Sequence, residues 1–143
     1  MNQNSTNLLR GVSVGVLSGM MWGIVVLLIS SFTQLFAFDF SIFNNIPVFI
    51  AGGAGFGLLL GAFLEVSKDK LPFRGIIPNS VALSVSIWIL FFGGGLLLHL
   101  LTPNRYHLEG HQHLQGFFLS IFLGLILGIF WKKWEDFFKQ QKY

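Results

Sequence analysis

Cysteine is absent from all 143 positions. That removes disulfides, thiolate metal sites and thiol redox chemistry together, and excludes membrane oxidoreductases that relay electrons through cysteine pairs. Charge is nearly as scarce. Asp, Glu, Lys and Arg make up 10% of the chain, where soluble globular proteins carry about 25%. Apolar residues make up 53%. A chain of this length is enough for one domain, spanning 1–143. It has too little polar surface to cover that much apolar surface in water, so lipid is expected to be its solvent. The formal charge of +3 does not indicate nucleic acid, because the cations stand at the ends of apolar runs. No nucleic-acid partner is expected.

Long apolar runs are what the chain has in abundance. A helix needs about 20 such residues to cross a hydrocarbon core about 30 Å thick. Four stretches qualify, at about 11–31, 47–64, 79–101 and 114–131, and none contains Lys, Arg, Asp or Glu. A membrane strand needs only about 10 residues and alternates polar with apolar, which these runs do not. The expected fold is therefore an all-α membrane protein with four transmembrane helices arranged as two αα-hairpins. The first span is too long for a secretory signal and lacks a small-residue cleavage site, so it is expected to stay as an anchor.

Orientation follows from the cations, since cytoplasmic connections retain Lys and Arg. Arg10, Lys68, Lys70, Arg74, Lys132, Lys133, Lys139 and Lys142 fall on one side of the four spans, and only Arg105 on the other. Both termini are thus expected in the cytoplasm, with the chain in the cytoplasmic (inner) membrane.

Within the spans, small residues recur every fourth position: Gly11, Gly15, Gly19 and Gly23 in the first, Gly53, Gly57 and Gly61 in the second, and Gly116, Ser120, Gly124 and Gly128 in the fourth. That spacing stacks them on one helix face, where a second backbone can approach closely. Glycine-mediated packing inside the chain is the simpler expectation; a homo-oligomer is the other. The halves also resemble each other. Gly57-Leu-Leu-Leu-Gly61-Ala-Phe63 recurs as Gly124-Leu-Ile-Leu-Gly128-Ile-Phe130, and Leu17-Ser18-x3-Trp22 as Leu83-Ser84-x3-Trp88. Both hairpins start on the same side, so the repeat would be parallel, about an axis along the membrane normal.

Chemistry-bearing residues concentrate in the outer connection between the third and fourth spans. His107, Glu109, His111 and His113 offer imidazole and carboxylate at spacings that suit a divalent metal such as zinc, copper or nickel. The same histidines, with His99, would respond to acidification outside, or simply be hydrated. No other cofactor is predicted. The first outer connection carries Phe32, Phe36, Phe38, Phe40 and Phe43 around Asp39 and reads as an interfacial segment. Glu65 lies just past the second span and is expected to pair with Lys68 or Lys70. Past the fourth span, Trp131, Lys132, Lys133 and Trp134 open an amphipathic extension over 132–143. Its aromatics are expected at the lipid interface and its lysines at anionic headgroups.

Catalysis needs convergent acid, base, nucleophile or metal, and only the histidine connection offers any, so no enzyme is expected. The reading favoured is a non-catalytic subunit, assembly or accessory component of a membrane complex, with lipid and a membrane protein as partners. The alternative is a small oligomeric transporter or channel for an ion or metal. It would use the outer histidine cluster and a pore built from Ser84, Ser86 or the backbone at Gly93–Gly95.

Overall fold

A computed structural model describes residues 3–33, 42–101 and 110–140, with side chains over 6–33, 43–101 and 114–137. Its elements are α1 (Gln3–Thr33), α2 (Ile42–Ser67), α3 (Ile76–Leu101) and α4 (Gly110–Gln140). Each holds a segment long and apolar enough to cross a membrane: Thr6–Thr33, Phe43–Ser67, Ile76–Leu101 and Leu114–Phe137. The chain is an all-helical, multi-pass membrane protein. The helices overrun the apolar runs read from sequence, since a helix pairs its own backbone N–H and C=O groups beyond the hydrocarbon boundary as well as within it. The segment following Trp131 is accordingly a continuation of α4 as far as Gln140. Pro47 sits inside α2 without ending it, as membrane helices allow.

The most extensive contact joins α1 to α2, the next α3 to α4. Then α4 lies against α1, while α2 barely meets α3. The spatial order is thus α2–α1–α4–α3, with a gap between the outermost pair. Hydrocarbon burial gives no driving force between helices in lipid, so close packing and interhelical hydrogen bonds must hold them. The buried cluster of Val14, Leu60, Leu64, Leu123, Leu127 and Trp131 lies toward the end of the bundle that holds Arg10 and the α2–α3 connection.

That connection is short and stitched. Lys68 N–H donates to the Leu64 carbonyl at 2.8 Å and Leu71 N–H to that of Ser67 at 3.1 Å. The buried Asn79 carboxamide accepts from Phe73 N–H at 3.1 Å. Gly75 turns the chain into α3 at φ +124°, a conformation that a side chain would disfavour. Pro78 falls in the first turn of α3, where its missing N–H costs no helix bond.

Candidate functional site

The glycine faces of α1 and α2 meet backbone to backbone. A Cβ added at Gly15 would strike the carbonyl oxygen of Gly57, and one at Gly19 that of Gly53. At Gly11 it would stand 2.7 Å from the Gly61 oxygen, and at Gly23 it would strike Phe49. Gly53, Gly57 and Gly61 meet α1 in the same way. On α4, a Cβ at Gly124 would come 2.5 Å from Val81 Cα, and one at Gly128 2.7 Å from Ile77 Cα. Gly116 faces the Trp88 indole, 2.7 Å from Nε1 to such a Cβ. Gly93, Gly94 and Gly95 of α3 have open space.

The partner face on α3 is built from serine in place of glycine. Ser80 Oγ donates to the Gly124 carbonyl and Ser84 Oγ to that of Ser120, each at 2.7 Å. Ser80, Ser84 and Trp88 share the four-residue spacing of the α4 row, and that spacing was the available signal. Between α1 and α4, the Trp22 indole N–H donates to the Leu119 carbonyl at 2.8 Å.

Charge gathers at the end of the bundle near Trp131. Arg10 from α1 reaches Glu65 of α2 at 3.1 Å, and Lys68 reaches the same carboxylate at 2.6 Å. Glu135 of α4 lies 3.9 Å from Arg10 and accepts from the Trp131 indole N–H at 3.1 Å. The Arg10 guanidinium stands 5.4 Å from the Trp131 ring centroid, and the Lys68 ammonium 5.8 Å. Two cations, two carboxylates and an aromatic floor thus tie three helices together. The Glu65 side chain is only 7% exposed, so its pairing with Arg10 and Lys68 offsets the cost of removing it from water.

The remaining sequence candidates divide as follows. Trp131, expected at the lipid interface, is 1% exposed. It continues the buried row Leu123–Leu127 by one more turn, so it roofs the core. Trp134 packs half-buried against the same cluster, whereas Lys132 and Lys133 are exposed. Glu109 and His107 lie outside the described residues. His111 and His113 fall in the first turn of α4 with side chains outside them. Among the described residues, no three His, Asp or Glu side chains are grouped to hold a metal.

Midway along the bundle lies a cavity of about 250 Å³ bordered by all four helices. Its lining is almost wholly apolar. The chain matches no protein family, no curated protein and no solved structure.

Proposed function

We propose that the chain is a non-catalytic subunit, assembly or accessory component of a membrane complex. It sits in the cytoplasmic membrane as one domain of two αα-hairpins related by a parallel repeat, with both termini in the cytoplasm. On this reading the glycine faces are the packing surfaces within and between hairpins. The charged cluster around Trp131 lies at the cytoplasmic boundary, where the Lys and Arg count puts it.

The observation that carries the reading is where the polar groups are used. The apolar runs hold no Lys, Arg, Asp or Glu. Ser80, Ser84 and Trp22 bond helix carbonyls, and Arg10, Lys68 and Glu65 bond one another. These polar groups are engaged in holding helices together. An ion path would need charged or strongly polar groups facing a cavity at mid-membrane, and the apolar lining of the central cavity weighs against the transporter alternative.

Extraction of a tagged copy in mild detergent tests the proposal. A discrete complex with other membrane proteins at fixed ratio is the expected result. A lone symmetric oligomer would overturn it and make flux in liposomes the next assay. Metal analysis of the same preparation tests the outer ligand set. Stoichiometric zinc or nickel that disappears in the His107→Ala/His111→Ala variant would move the reading to metal handling.

A further inference from the structure

We infer that the central cavity is a binding site for one hydrocarbon chain of a membrane lipid, reached sideways from the bilayer through the gap between α2 and α3. This goes beyond the accessory reading and does not depend on it.

The cavity adjoins an outward-facing groove. The groove, of about 470 Å³, runs between α2 and α3, walled by side chains such as Leu59, Phe63, Leu83 and Leu90. Groove and cavity share Phe56, Leu60, Ile87 and Phe91, so the two adjoin and these side chains stand between them. Phe56 stands at this boundary, edge-on to Phe91 at 6.1 Å between ring centroids and to Trp22 at 6.2 Å, and is the side chain that an entering hydrocarbon chain would have to displace. The groove exists because α2 and α3 hardly touch, whereas glycine closes the α1–α2 contact to backbone distance.

The lining selects the ligand's chemistry. Within the cavity, the Ser84 and Ser120 hydroxyls already donate to the Ser120 and Phe117 carbonyls at 2.7 Å. The Trp22 N–H is engaged with Leu119. A buried water needs two to four polar partners, and a polar ligand needs as much; these walls offer chiefly hydrocarbon. The walls also belong to the segments that qualify as membrane spans. At that depth the abundant apolar species are lipid chains and other helices.

Size separates those two. One helical turn with its side chains, roughly 10 Å across and 5.4 Å tall, fills about 400 Å³. The central cavity, at about 250 Å³, is too small for it. An extended hydrocarbon chain, one methylene wide, can thread past Phe56 and lie between Trp22 and Trp88.

The test uses the full-length protein in bilayers of a phospholipid carrying a photoactivatable diazirine on one acyl chain, with adducts located by mass spectrometry. Val26, Leu119 and Leu123 border the cavity and are at most 7% exposed, so an annular lipid cannot reach them. Adducts at these positions are expected, in addition to those at surface positions such as Leu97 and Phe122. Ile87→Trp, which adds bulk at the boundary between groove and cavity, should abolish the interior adducts and keep the surface ones. If that variant does not fold, the wild-type pattern decides alone. Adducts confined to the surface would overturn the inference. So would protection of Phe63 and Leu90 accompanied by chain-to-chain crosslinks, since a second copy would then cover the groove.

Discussion

At the scale of the residue, the glycines are not equivalent, and the structure sorts them. Those at Gly15, Gly19, Gly53 and Gly57 leave no room for a methyl group against the facing backbone. Gly19→Ala or Gly57→Ala should therefore push α1 from α2, at a cost of about 1–3 kcal/mol for an overpacked contact. Gly94→Ala meets nothing and should be neutral or stabilising by up to about 1 kcal/mol, through helix propensity. Thermal unfolding in detergent, followed by circular dichroism, ranks the three; equal effects would contradict the sorting. Ser80→Ala and Ser84→Ala remove one interhelical hydrogen bond each, and about 0.6 kcal/mol apiece is expected. The glycine rows were legible because four-residue spacing survives in any apolar background. Gly93–Gly95 was equally visible, yet nothing in sequence says whether a glycine faces a backbone or open space. Ser80 and Ser84 were legible only as polar residues in a span, since a hydroxyl that packs and one that lines a pore look alike.

Among the elements, the charged cluster couples α1, α2 and α4. Glu65→Gln leaves Arg10 and Lys68 without their shared carboxylate. A loss of roughly 1–3 kcal/mol is expected, the range for a hydrogen bond to a charged group with one partner removed. The reversed pair Arg10→Glu/Glu65→Arg should recover part of it, and a double-mutant cycle on detergent unfolding measures the coupling. A coupling near zero would mean that the contact does not hold the helices. Pairing of Glu65 with Lys68 could be read from their three-residue separation at the end of α2. The contact of Glu65 with Arg10, separated by 55 positions, could not. Trp131 shows the limit from the other side. An aromatic next to two lysines at the end of an apolar run has the composition of an interface anchor. Only its register with Leu123 and Leu127 distinguishes a core position from that, and the register matters only once the facing helices are known.

For the whole molecule, the spans were legible because hydrocarbon thickness sets their length. The order α2–α1–α4–α3 was not, because a glycine row marks a packing face without saying which helix it meets, and hydropathy adds nothing in helices apolar on all sides. Of the metal candidates, His107 and Glu109 lie outside the described residues and His111 and His113 are described in backbone only, so the set rests on sequence alone. The proposed orientation has a simple check, since a chain with no cysteine accepts single reporters cleanly. Asn104→Cys should react with a membrane-impermeant maleimide applied to intact cells, and Asp69→Cys only after lysis; the opposite pattern would invert the topology. The measurement that bears most directly on the proposed role is crosslinking in native membranes, with a tagged copy recovered and its adducts identified by mass spectrometry. The account predicts defined crosslinks to other membrane proteins at fixed ratio. Crosslinks only between copies of this chain would contradict it.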